Sequence, residues 1–296
     1  MIAVTERPTG EAATPPYPGL FQALCLLIAC IVLLILAVSV AAIYAPGAEQ
    51  NPWVLASVNV FVLGSLLWFT WENAGGPFVR YFSLEPMDSG LLWPMALLVV
   101  GVSLLASETD NLVRYIVGPP PPGFDLSWLY LEAWSRPLAT VFLLLIVAPV
   151  TEELLFRGLI LRGLLSRYGA VTAVLISALL FALFHVNPWQ MPGAFLIGGI
   201  LGWWYVQTGT VTPCLLGHAA YNAIPLIALA IMPPLPGFTE TTAGTNFQPL
   251  ALDMVGAALT VFGAVLLQRT FVKQRRQALP WRLQHRSKRP WDGSGQ

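Results

Sequence analysis

Seven residues, Thr151-Glu152-Glu153-Leu154-Leu155-Phe156-Arg157, put three ionisable side chains into a segment otherwise apolar enough to cross a membrane. A charge at mid-bilayer costs roughly 2.5 to 3.5 kcal/mol on insertion scales, so such groups face the protein interior and carry function. Their spacing divides the work. At about 100° per residue Glu153 and Arg157 lie roughly 40° apart on a helix and can pair. Glu152 sits roughly 140° round from Arg157, which turns its carboxylate toward something else. We therefore read Glu152 as the chemical carboxylate and Glu153 with Arg157 as support. Two further motifs follow on separate helices, Phe181-x-x-x-His185 and His218-x-x-x-Asn222. A base for water, an acid for the leaving amine and donors for an oxyanion are what peptide hydrolysis requires, and one Glu, two His and one Asn supply them. The same Glu152, His185 and His218 could instead ligate Zn²⁺, which takes three such ligands plus a water in catalytic sites. The sequence lacks His-Glu-x-x-His, so residue types leave the metal-dependent and metal-free routes equally open.

Each motif alone has a plainer meaning. An intramembrane His serves as often to hydrogen-bond between helices, and an Asn four residues on can cap or glue them. Co-location decides. If the chain turns at Tyr168-Gly169, Glu152 stands 16 residues before Tyr168 and His185 stands 17 after it. In an antiparallel pair rising about 1.5 Å per residue, the two come level. His218 reaches that depth if the hairpin of the fourth and fifth helices projects roughly 10 Å past the membrane surface, which Arg162 and Arg167 permit.

The elements that position these residues are apolar helices. The chain is 56% hydrophobic and 10% charged, whereas soluble domains carry about 25% charge, so we expect an all-α polytopic membrane helix bundle of about eight spans. Residues 1–19, rich in Pro and Thr, read as a disordered N-terminus. Residues 20–136 hold three helices, Leu20–Tyr44, Trp53–Trp71 and Gly90–Ser107, then a polar stretch and an interfacial segment at Phe124–Leu131. The first run is too long for a signal-peptide core and reads as a retained helix. Trp53, Trp68, Trp71 and Trp93 fit an interfacial aromatic belt.

Residues 137–232 hold the motifs. The fourth helix, Pro137 to about Arg167, should kink near Pro149. From Tyr168 to Thr239 no Lys, Arg, Asp or Glu occurs, and breaks at Asn187-Pro188 and Thr208-Gly209-Thr210 divide the run into three helices. Gly198 and Gly202 allow another backbone to approach. Residues 233–268 form a loop and a last helix from Leu250 to Gln268, and 269–296 a basic tail. The cysteines Cys25, Cys30 and Cys214 lie in apolar runs and imply no disulfide framework. Twelve Lys and Arg fall on the side of the termini and two, Arg114 and Arg136, on the other. Both termini should then be cytoplasmic, in the cell membrane. The partners expected are membrane lipid and a membrane-associated protein or peptide substrate, with no nucleic acid.

The three motifs together resemble those of the CPBP family of intramembrane proteases, the CAAX-processing and bacteriocin-processing proteins also called the abortive-infection family. The resemblance covers about Pro137 to Leu229. It implies a core of membrane helices and an intramembrane endopeptidase activity, usually classed as metalloprotease. It also implies that Glu152 activates the attacking water with His185 as partner, that His218 and Asn222 hold the substrate carbonyl or its oxyanion, and that Glu153 and Arg157 fill the remaining motif positions. Two other readings stay open on the residues themselves. A proton- or ion-coupled transporter would use the same carboxylates and histidines as relays, and a non-catalytic scaffold or immunity protein would tolerate loss of Glu152. Transporter folds often carry internal repeats, and none is visible here.

Overall fold

The computed structural model describes residues 17–122, 124–125, 127–239 and 246–286, and among these no strand occurs. The disordered N-terminus expected before Leu20 falls largely outside the described residues, as does the tail beyond Arg286. Eight long helices are present among the described residues: α1 Leu20–Tyr44, α2 Pro52–Ala74, α3 Ser89–Val117, α4 Pro137–Leu165, α5 Ala170–Phe184, α6 Met191–Thr208, α7 Thr212–Ile231 and α8 Leu250–Arg286. Six of them, all but α5 and α6, are long and apolar enough to cross a membrane. The chain is an all-α helix bundle of the integral membrane kind.

Burial ranks these helices. The most apolar windows of α3 and α4 are 56% buried, those of α1, α2 and α8 only 17%, so α3 and α4 form the centre and α1, α2 and α8 lie at the periphery. Helix α4 is packed by α2, α5 and α7, while α3 carries α6, α7 and α8. Residues Leu154 to Leu161 are buried without exception, which places the charged motif at the densest point of the bundle. Helix α5, at 15 residues, rises only about 22 Å and is too short to span by itself. Its turn into α6 at His185–Gln190 therefore lies inside the bundle's length, close to the motif.

Two boundaries differ from the sequence expectation. Helix α3 runs on through the polar stretch to Val117 instead of ending near Ser107. Asp110 and Arg114 form an i,i+4 ion pair of 2.7 Å, and Glu108 accepts from Asn111 Nδ2 at 2.9 Å, so the polar residues support the helix that they seemed to end. They also bind the loop after α7. Asn111 Nδ2 and Ser107 Oγ donate to Gly237 O, and Glu108 Oε2 accepts from Gln248 N. Helix α8 likewise continues beyond Gln268 to Arg286, through Arg, Lys and Gln that favour helix. A short helix is present at Ser127–Ser135, overlapping the segment expected at Phe124–Leu131.

Helix α4 contains the largest departure. The expected disturbance at Pro149 takes the form of two π-helical segments, Leu143–Val147 and Leu154–Leu161, flanking the α-helical piece Ala148–Glu153. Ala148 N donates to Leu143 O, five residues back. The next acceptor in that series is Leu144 O, and the residue that should serve it is Pro149, which has no N–H. Asn222 Nδ2 of α7 donates to Leu144 O instead, at 2.9 Å. A carbonyl freed by a proline is thus satisfied from a neighbouring helix, as interior backbone in a membrane must be. π-helical turns are rare and concentrate at functional sites.

Candidate active site

Helices α4, α5, α6 and α7 bring the three motifs together. Glu153 Oε1 accepts two hydrogen bonds, from Arg157 Nη1 at 2.8 Å and from His218 Nδ1 at 2.7 Å. Glu153 and Arg157 are both 0% exposed, so their charges are compensated within the protein. Arg157 Nη2 donates to Gly198 O at 2.9 Å, and its guanidinium lies 4.8 Å above the Phe181 ring. The pairing of Glu153 with Arg157 follows the helical spacing. The His218 bond does not, and it gives Glu153 a second task, since it fixes which nitrogen of His218 faces the site.

That nitrogen is Nε2, and it faces Glu152. The distance from His218 Nε2 to Glu152 Oε2 is 3.9 Å, so residues 66 positions apart in the chain share one site. Glu152 is 7% exposed, and its Oε2 has no hydrogen-bond partner in the protein. A buried carboxylate oxygen left unpaired is costly, and a small polar molecule is what relieves it.

His185 stands at the C-terminal end of α5, half-buried, with Nδ1–H donated to Phe181 O at 2.8 Å. In the neutral ring this leaves Nε2 as an acceptor. His185 is within electrostatic reach of Glu152, His218 and Arg157. Phe181 is the shared wall: its ring meets His185 edge-on at 4.9 Å and His218 at 5.7 Å. Asn222 is half-buried, one turn beyond His218, and is tethered to α4 through Leu144.

Three supporting groups were not assigned from the sequence. Gly198 was expected to allow close packing, and a Cβ there would lie 3.3 Å from Ala178 Cα and 3.2 Å from Phe181 Cδ1. Its carbonyl reaches Arg157 only because α6 comes that close. Gly217, beside His218, has no room for a side chain either, since a Cβ would stand 2.3 Å from Trp204 Cζ3. Asn59 of α2 meets Thr151 Oγ1 at 2.9 Å, while Thr151 Oγ1 also lies 2.8 Å from Val147 O. Thr151 immediately precedes Glu152, so a helix far away in sequence braces the motif. The one cue was a polar Asn in an otherwise apolar run.

The zinc set left open by the residue types was Glu152, His185 and His218. Among the described residues no three of His, Cys, Asp and Glu are grouped so as to hold a metal ion. As placed, the three side chains are not gathered into a three-ligand set.

Residues 134–224 match the family model of Rce1-like type II CAAX prenyl endopeptidases. Through this stretch the chain is similar to that family. The match takes in α4 to α6, the part of α7 up to residue 224 and every motif residue from Glu152 to Asn222, and agrees with the resemblance carried by the three motifs. The Rce1-like stretch indicates a membrane-embedded protease. No curated protein and no solved structure gives a match to the chain. Helices α1 to α3 and α8 lie outside the matched stretch, and of these α2 reaches its first motif through Asn59.

Proposed function

We propose that this chain is an intramembrane endopeptidase of CAAX type, cleaving a membrane-associated protein or peptide with a water activated by Glu152. The unpartnered Glu152 Oε2, buried and facing His218 Nε2, carries this reading. A water there is held by the carboxylate, with His185 Nε2 as a second acceptor. Glu152 takes the water's proton as the oxygen attacks the scissile carbonyl carbon, then returns it to the departing amine nitrogen as the carbon–nitrogen bond breaks. The oxyanion needs donors. The two carboxylates and one guanidinium leave a single negative charge, which an imidazolium at His218 neutralises. Its Nε2–H is then one donor, and the second amide hydrogen of Asn222 is the other. Glu153 holds His218 in that orientation through Nδ1.

The substrate class follows the family description, a prenylated cysteine with three further residues at a chain end. Purified protein in detergent should release the last three residues from an internally quenched peptide bearing farnesyl-cysteine at the fourth position from its C-terminus. Cleavage of the unprenylated peptide at an equal rate would remove the prenyl requirement, and cleavage of neither by folded protein would overturn the reading.

The orientation proposed is both termini in the cytoplasm of a cell-membrane protein, on the twelve-to-two split of Lys and Arg. Reporters fused after Gln296 and within Gly118–Gly123 should then lie in opposite compartments, the first cytoplasmic. An external C-terminal reporter would reverse the assignment.

A further inference from the structure

Beyond the motif residues, one turn is built in a way that its own packing does not explain. Val186, immediately after His185, has φ +50°, in the left-handed region. A β-branched residue is a genuine outlier there, since its Cβ crowds the backbone. Its side chain is 43% exposed and so gains little from burial. Such a conformation persists only where the surroundings over-determine it, and it clusters at functional sites.

What over-determines it is Asn187. This residue is 6% exposed, and its side chain is used at both ends: Oδ1 accepts from Trp189 N at 3.1 Å, and Nδ2 donates to Phe124 O at 3.0 Å. Its carbonyl accepts from Gln190 N and Met191 N, starting α6. Trp189 adds a second anchor on the same distant segment, with Nε1 donating to Gly118 O at 2.8 Å and its ring 5.8 Å from that of Phe124. On the other side of Val186, the last turn of α5 tightens to three-residue hydrogen bonds, His185 N to Ala182 O and Val186 N to Leu183 O. His185 is thus clamped between a tightened helix end and a turn pinned to the segment after α3.

We propose that Asn187, acting through the left-handed Val186, is a positioning residue that holds the His185 ring with Nδ1–H on Phe181 O and Nε2 toward Glu152. The proposal rests on the proteolytic reading of the site only for its kinetic consequence. The ring orientation is testable by itself. The chain has three histidines, so ¹⁵N-histidine spectra are simple, and His185→Gln assigns the His185 signals. In the wild type His185 should show the single tautomer protonated at Nδ1. Asn187→Ala and Val186→Gly should both show mixed tautomers.

The farnesylated peptide gives the second readout. Asn187→Ala should lower kcat by about 100-fold with KM little changed, the scale on which misplacing a reacting group acts. Val186→Gly should lower kcat about tenfold while its melting temperature equals or exceeds that of the wild type, because glycine adopts this φ freely. A purely structural role would move stability and activity together. If Asn187→Ala fails to fold, Val186→Gly still decides. Retention of the single tautomer, or of wild-type kcat, in Val186→Gly overturns the proposal. If wild type and Glu152→Gln alike fail to cleave the peptide, the proteolytic reading falls instead, and the spectra still judge the clamp.

Discussion

Glu152→Gln should fold as the wild type does and cleave at least about 100-fold more slowly, the scale of a lost general base. The amide keeps the shape of the side chain and loses its basicity. Nothing in the protein's hydrogen bonding depends on the lost charge, because Glu152 Oε2 has no partner among the protein's own groups. The amide is also cheaper to bury than the carboxylate, which offsets the lost attraction to His218 3.9 Å away, so folding should change little. The measurement is detergent-solubilised yield and melting temperature beside the cleavage rate of the farnesylated peptide. Normal cleavage by Glu152→Gln would end its assignment as the base. A collapse in yield would show that its role is structural.

The adjacent glutamate should behave in the opposite way. Glu153→Ala deprives both Arg157 Nη1 and His218 Nδ1 of their acceptor, at a place where neither residue has appreciable exposure. Breaking a buried ion pair from one side costs about 3–5 kcal/mol, comparable with the whole stability of many domains. Arg157→Ala should cost a similar amount, since it also frees Gly198 O. Both variants should show sharply reduced folded yield and melting temperature. The double variant Glu153→Ala, Arg157→Ala should lose less than the two single losses added, because no uncompensated charge of that pair remains. A Glu153→Ala protein of wild-type melting temperature would refute this account. Because Glu153 also orients His218, whatever folded Glu153→Ala is recovered should cleave poorly as well, whereas Arg157→Ala leaves the His218 contact in place.

The helices were legible because apolar runs of span length leave few alternatives, and Pro and Gly mark their ends. The four-residue spacing paired Glu153 with Arg157, as the structure has it. The end of α3 is not legible from polarity, because Glu108, Asp110 and Asn111 bond along the helix and across to Gly237 and Gln248. The bonds from Glu153 to His218, from Arg157 to Gly198 and from Asn222 to Leu144 join separate helices. They depend on helix rotation and close approach, which periodicity along one strand of sequence does not encode. The π-helical segments were missed for a different reason. Their residues are Leu, Ile, Val, Phe, Gly and Arg, which an ordinary α-helix accepts equally well, so composition carries no mark of the wider turn.

Those wider turns make the length of α4 matter as much as its residue types. A π turn accommodates about one residue more than an α turn over the same rise, and each residue in a helix is worth about 100° of azimuth. Deleting one residue between Leu143 and Val147 and restoring α-helical bonding would swing everything beyond it, Pro149 and both glutamates included, by about that angle relative to Pro137. Glu152 would then point away from His218, although no motif residue had changed. In this helix an insertion or deletion outside the motifs is therefore the more damaging kind of change than a substitution at the same place, and the chain's tolerance for indels should fall to its minimum between Pro137 and Glu152.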